Sequence, residues 1–335
     1  MKFIKSLFLV TFFISNIWAQ SFESDHFRIK KLDEGIYAAI SKTGGYAIGN
    51  SGIVDLGDET LVFDTFISPI AARDLKQAAE VLTGNKVKYV INSHFHTDHI
   101  RGNQVFTDAD IIASQITRDL IEEYEPEELE WEAKVIDQRI ETTQQKLSDE
   151  RDSAKVEQLK MWLGYYKAIK ESATEYTITL PNFILKDSMD IHGKERNAIL
   201  ISKGEAHTKS DVVLWLPDEK ILFSGDVIFI NHHPWLGDGS PDEWIIYLNY
   251  LKTLNPKYIV PGHGPLGNKT SIDQMIKYLN NISDLVDSAI QNNFTEDEIK
   301  IISIPEEYQD WWFERFFPPN LVFLYETKTG KVDLD

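Results

Sequence analysis

Cysteine is missing from all 335 residues, and that absence removes two options. No disulfide framework can brace the fold, and no lipid can be attached through a cysteine behind a leader. Positive charge is scarce as well: 34 Lys and Arg stand against 53 Asp and Glu, a net −19. Such a surface repels phosphate backbones and anionic lipid, which excludes nucleic acid and membrane surfaces as expected partners. No apolar run near the N-terminus is long enough to span a bilayer. The run from Leu7 to Ile14 falls well short of the ~20 residues required. Lys2 and Lys5 precede it, and the small Ala19 follows just before Gln20. That pattern reads as a secretory signal over residues 1–19, leaving 20–335 as the mature domain. Its removal takes away Lys2 and Lys5 but no acid, moving the charge from −19 to −21. The mature chain is expected to be periplasmic or secreted.

What is present supports a folded core, since 42% of residues are hydrophobic and 12% aromatic. The length suits one large domain or two modest ones. Short β-rich runs broken by glycines occupy Phe27–Leu32, Ile36–Ile40, Tyr46–Ile48, Gly52–Leu56 and Thr60–Phe63. They predict antiparallel hairpins turning at Gly44-Gly45 and Gly57-Asp58. A helix follows from Pro69 to Leu82, with Ile70, Leu75, Ala78, Ala79 and Leu82 on one face. A strand over Val87–Ser93 comes next, and Ile111–Ala113 reads as another.

Residues of about 115–178 are polar and nearly free of glycine. Leu129, Ala133, Ile136, Ile140, Thr143 and Leu147 recur at steps of four and three, as do Val156, Leu159, Leu163 and Tyr166 after the charged turn Ser148–Asp152. This predicts an inserted helical hairpin with a narrow apolar seam, Glu and Lys outside. Trp131, Trp162, Tyr165 and Tyr166 are more aromatic surface than such a hairpin should leave in water. Its expected role is a lid, an arm for homodimerisation or a surface decoration.

The second half repeats the rhythm. Strands are expected at Ile191, Ala198–Ser202, Val212–Leu216, Ile221–Ser224 and Tyr258–Val260, and helices at Asp242–Thr253 and Ser271–Gln291. Strands then helix, twice over, imply an α/β (α+β) chain whose two sheets form a sandwich with helices outside. An extension from about 266 to 335 carries Trp311-Trp312-Phe313 and Phe316-Phe317, which should dock on the body.

The chemistry concentrates in Asn92-Ser93-His94-Phe95-His96-Thr97-Asp98-His99. If His94 and His96 leave a strand on one face, they can grip one ion, with Asp98 and His99 placed for a second. His207 in Gly204-Glu205-Ala206-His207-Thr208, Asp226 in Ser224-Gly225-Asp226 and His263 in Pro261-Gly262-His263-Gly264 share one property: each is a ligand type beside a buried strand. A sandwich can collect such positions along one rim. Imidazole and carboxylate without thiolate suit Zn²⁺, with Fe or Mn as alternatives. His232, His233 and Trp235 follow Asp226 closely and are candidate substrate-binding residues.

H-F-H-T-D-H followed by G-x-A-H-T, S-G-D and P-G-H-G resembles the metallo-β-lactamase superfamily over about residues 27–265. The resemblance implies a four-layer αββα sandwich and two ions sharing a bridging hydroxide. By it, His94, His96 and His207 hold the first ion, and Asp98, His99 and His263 the second. Asp226 bridges the two, and Asp98 also orients the hydroxide or carries a proton as a catalytic group. An aspartate rather than a cysteine at 226, and Phe229 where cysteine-ligand lactamases carry a lysine clamp, resemble the glyoxalase II and SoxH-like branches. The implied activity is hydrolysis of a small ester, lactone, thioester or β-lactam. The alternative on the same scaffold is a mononuclear iron persulfide dioxygenase, which the export signal disfavours.

Overall fold

Four strands, β1 (Phe27–Asp33), β2 (Ile36–Ser41), β3 (Ser51–Asp55) and β4 (Thr60–Phe63), form an antiparallel meander. The computed structural model describes residues 22–331, so the expected signal over 1–19 lies outside the described residues. After β4 comes α1 (Pro69–Thr83), where Ser68 accepts the Ala71 amide as N-cap and Gly84, at φ +75°, ends the helix. Its face of Ala71, Ala72, Leu75, Ala78 and Ala79 is buried, as the 3.6-residue spacing predicts.

The chain then crosses to β5 (Val87–Ile91), the short α2 (Thr97–Ile100) and β6 (Asp110–Ser114). The long α3 (Gln115–Asp149) and α4 (Ser153–Ser172) follow, then β7 (Phe183–Leu185), which closes a seven-stranded sheet in the order β1 to β7. A second sheet runs β12-β11-β10-β9-β8, from β8 (Ser188–His192), β9 (Asn197–Ser202), β10 (Val212–Leu216), β11 (Ile221–Phe229) and β12 (Tyr258–His263). Helix α5 (Pro241–Thr253) lies between β11 and β12 in the chain. After β12 come α6 (Lys269–Gln291), α7 (Glu296–Lys300) and α8 (Phe317–Lys328).

Three apolar layers hold this together. Val54, Leu61 and Phe63 meet Leu200, Leu214 and Phe223 between the sheets. Ile53, Val62 and Val90 pack on α1 outside the first sheet. Leu222 and Ile259 pack on Trp244, Met275 and Leu321 outside the second. The result is the expected αββα sandwich. The aromatic tail docks on it, with Phe313 and Phe317 buried.

Several expectations shift. Tyr46–Ile48 is not a strand; it is a loop with Ile48 at φ 65°. β5 ends at Ile91, so His94 and His96 sit in a loop rather than on one face of a strand. Strand β11 runs through Asp226 to Phe229 instead of stopping at Ser224. The hairpin seam also differs: Ala133 is exposed, while Glu125 and Glu132 are buried. Those two glutamates face Arg101, just past α2, whose guanidinium no spacing rule within α3 could anticipate. Helix α4 lies against the Gly44-Gly45 turn, and a Cβ at Gly164 would stand 2.7 Å from the Gly45 carbonyl oxygen. No helix among the described residues is long and apolar enough to cross a membrane.

Candidate metal centre

Strand ends and loops from both sheets converge on one rim. The β5–α2 loop brings His94 and His96, with ring centroids 4.7 Å apart. The β9–β10 loop brings His207, with its Nε2 3.0 Å from His96 Nδ1. Helix α2 presents Asp98 and His99, and β12 ends on His263. Asp226 stands among them: its Oδ2 lies 3.9 Å from His94 Nε2, 3.4 Å from His207 Nε2 and 3.5 Å from His263 Nε2, and its Oδ1 3.2 Å from His99 Nε2. This approach requires a bare backbone at Gly262, where any Cβ would collide with the Asp226 carboxylate.

Two groups of donor atoms result. One comprises His94, His96, His207 and Asp226, the other Asp98, His99 and His263; within each, the donors lie within 4.8 Å of one another. All seven expected ligand positions are therefore brought together.

The outward ring nitrogens are fixed by partners. His94 Nδ1 meets Ser93 Oγ at 2.9 Å, and His207 Nδ1 meets the Trp235 carbonyl at 3.0 Å. His96 Nε2 meets Asp238 Oδ2 at 3.0 Å, and His99 Nδ1 meets Asp64 Oδ2 at 2.9 Å. Such partners orient an imidazole and select which nitrogen faces a metal. Asp64 and Asp238 escaped the sequence reading. Asp64 follows β4 directly, so the rule that picked out Asp226 and His263 applied to it too. Asp238 lies in a Gly-Asp-Gly turn with no such signal.

The buried charges sort by neighbour. Burial, together with the His99 and His96 imidazoles, holds His94 well below the usual histidine range. His207 falls to about 3, chiefly through burial. Burial opposes charge on His263 and His99 too, but Asp226 and Asp98 carry His263 up to about 9 and, with Asp64, hold His99 well above 6.5. Asp98 is held at about 2 because His99 and His263 outweigh its burial. Asp226 lies well below the usual carboxylate range for the same reason.

The donor set fits metal ions. His94 Nε2, His99 Nε2 and Asp226 Oδ1 are buried without a hydrogen-bond partner, with His99 Nε2 3.2 Å from Asp226 Oδ1 and His94 Nε2 3.9 Å from Asp226 Oδ2. Orphaned polar atoms of this kind are costly unless something binds them.

Above the rim opens a cleft of about 800 Å³. His96, Asp98, His207, Asp226 and His263 line its floor; Trp131, Trp162 and Tyr165 of the hairpin form one wall, and Phe313 and Phe316 of the tail another. Trp235 lines the cleft as expected, and its Nε1 donates to Asp238 at 2.7 Å. His233 does not reach it. That ring is fully buried, bonded to the Tyr278 hydroxyl at 2.9 Å and packed on Phe317, so it serves the core. His232 stands behind Phe313, at 4.7 Å between ring centroids, with Nδ1 turned to the Ile230 carbonyl. Neither histidine lines the cleft, because the chain after β11 turns back into the helical layer.

Fold and rim together define an αββα protein with a paired histidine–carboxylate cluster under an aromatic cleft. The family model of the metallo-β-lactamase superfamily matches residues 44–263, and the chain belongs to that superfamily. A type 2 metallo-β-lactamase of Pseudomonas aeruginosa is 26% identical over 296 residues, covering 82% of this chain and 96% of its own. A linear primary-alkylsulfatase of a Pseudomonas species is 21% identical over 67% of this chain and 43% of its own. Among solved structures, the DIM-1 metallo-β-lactamase superposes with a TM-score of 0.55 at 19% identity, covering 77% of this chain and 99% of its own.

Proposed function

We propose that this chain is an exported, metal-dependent hydrolase that opens the carbonyl of a small ester, lactone, thioester or β-lactam. The observation that carries the reading is the set of orphaned donors, His94 Nε2, His99 Nε2 and Asp226 Oδ1, inside two ligand groups at the floor of a cleft. His94, His96 and His207 would hold one ion, Asp98, His99 and His263 the other, with Asp226 between them. Bound there, two divalent ions, zinc by the chemistry of the donors, would acidify water to a nucleophile and polarise the substrate carbonyl.

The chain's own residues supply the rest. Asp98, a carboxylate facing the cleft, would orient water by accepting its hydrogen bond, take up the proton released as the nucleophile attacks, and give that proton to the leaving group. Ser93, Asp64, Asp238 and the Trp235 carbonyl hold four imidazoles in register. The aromatic walls exclude water and bind an apolar body. The lactamase named above spans most of both chains, which puts β-lactams in the substrate panel, and the sulfatase adds sulfate esters. The leader supporting export rests on Lys2, Lys5 and Leu7–Ile14.

Purified chain should carry two zinc equivalents, and chelation followed by Zn²⁺ should abolish and restore turnover in a panel of nitrocefin, lactones, thioesters and sulfate esters. A single bound iron with oxygen-dependent turnover of a persulfide would replace this reading by the dioxygenase one. Turnover that survives exhaustive chelation would sink both.

A further inference from the structure

On the aromatic side of the cleft stands one cation. Arg315, on the tail between Phe313 and α8, is the one Lys or Arg among the residues that line the cleft. Its companions there include Glu127, Glu128, Asp98, Asp226 and Asp238, on a chain whose net charge is −19. Among the described residues, Arg315 pairs with no carboxylate. Its guanidinium instead lies over the Trp162 ring, 3.2 Å from the centroid, and donates to the Tyr166 hydroxyl at 2.9 Å. An arginine on an acidic surface ordinarily finds an acid; this one is held by an aromatic face and a neutral hydroxyl. Stacking fixes the plane of the fork while leaving other N–H groups free to donate.

Its position relates to the metal rim through two rings. Trp162 packs on Phe313 at 5.2 Å, and Phe313 packs on His263 at 5.1 Å. A molecule lying across those rings reaches from the His263 end of the floor to the guanidinium. The volume, about 800 Å³, holds a drug-sized molecule.

We propose that Arg315 is the anion-binding residue of this cleft, and that the substrate is an amphipathic acyl compound with an apolar or aromatic body and a carboxylate or similar anionic group. The body lies against Trp162, Phe313 and Phe316, and the anion takes the free edge of the Arg315 fork in a charge-assisted pair. This deepens the hydrolase reading and rests on it only for the scissile bond; the anion site stands on Arg315 itself.

The test is calorimetric titration of the metal-loaded chain with an aryl-alkyl carboxylate and with its primary amide, which has nearly the same shape but is neutral and carries an NH2 donor in place of one acceptor oxygen. Wild type should bind the carboxylate more tightly than the amide. Arg315→Met, which keeps the stacked length, should weaken the carboxylate about tenfold or more and leave the amide within about twofold, while Arg315→Lys recovers part of the loss. Because the metal rim is the same in all three proteins, its own affinity for carboxylates cancels. Equal losses for both probes would show that Arg315 only braces the hairpin, and an unchanged carboxylate affinity would show that the anion goes elsewhere; either overturns the proposal. Binding is read without turnover, so a chain that hydrolyses nothing would defeat the hydrolase reading while leaving the Arg315 result intact.

Discussion

Arg101 and Glu132 are joined by a buried fork: Nη1 of the arginine lies 3.0 and 2.8 Å from the two carboxylate oxygens, and each residue is about 3% exposed. Glu125 shares the same guanidinium and also accepts from the Tyr176 hydroxyl. Arg101 comes two residues after His99, and both glutamates belong to α3. The cluster therefore ties the hairpin to the segment of loop and α2 that carries four of the seven candidate ligands.

One arginine facing two acids makes the acids unequal to lose. Burial raises the Glu132 carboxyl to about 7 despite Arg101 beside it. A carboxyl raised from 4.5 releases its proton sooner in the unfolded chain, so the Glu132 contribution to stability should fall as pH rises from about 4.5 to 7 and then level off. Glu132→Gln should flatten that slope and cost little at pH 8. Arg101→Met strands two buried carboxyls and should cost about 3–5 kcal/mol. Thermal melts of wild type and both variants from pH 4.5 to 8 check both; a stability difference between wild type and Glu132→Gln that does not fall through that window would contradict the account.

Asp64 holds His99 Nδ1, and it does so from a left-handed backbone position at φ 60°. Asparagine tolerates that conformation, so Asp64→Asn tests the hydrogen bond rather than the backbone. Affinity for the second zinc should drop by about 10–100-fold, with the far-ultraviolet spectrum unchanged. Metal titration with a chromogenic chelator measures it, and unaltered affinity would reduce Asp64 to a core residue.

Zinc loading should release protons. At pH 7 the metal-free chain favours a proton on His263, whose value is about 9, on His99, also raised, and on His96, raised because its burial is outweighed by Asp238. A ligating imidazole must surrender its proton, so about two to three protons per chain should leave, and binding should tighten as pH rises towards 9. Asp98, near 2, and Asp226, below the usual range, do not compete until much lower pH. Calorimetry in buffers of different ionisation enthalpy counts the protons; a count of zero is the adverse result.

Trp131 is 46% exposed yet lines the cleft. Trp131→Ala should raise KM for substrates with an aromatic body by about three- to tenfold, leaving the melting temperature within about 1 °C. If KM does not move, the hairpin wall does not touch substrate. A lower melting temperature with unchanged KM would make Trp131 a packing residue.

Local chemistry made much of this protein legible as a sequence. Period-3.6 burial gave α1 and α6, β-branched runs gave most strands, and ligand-type residues beside buried strands gave His94, His96, Asp98, His99, His207, Asp226 and His263. Those signals are short-range: a strand's ending and the residue next to it are written within a few positions. The tertiary structure decided what depends on distant segments meeting. His96 finds Asp238 from 142 positions away, His99 finds Asp64 across 35, and Arg101 draws two glutamates of α3 inward where helix spacing placed acids outside. His233 looked like a cleft residue by proximity to Asp226, but the turn after β11 sends it into the layer of α6 and α8. Arg315 acquired its place over Trp162 only when the tail folded back across the hairpin. Burial of a polar side chain is settled by its partner, and no local pattern encodes a partner that the chain reaches only by folding.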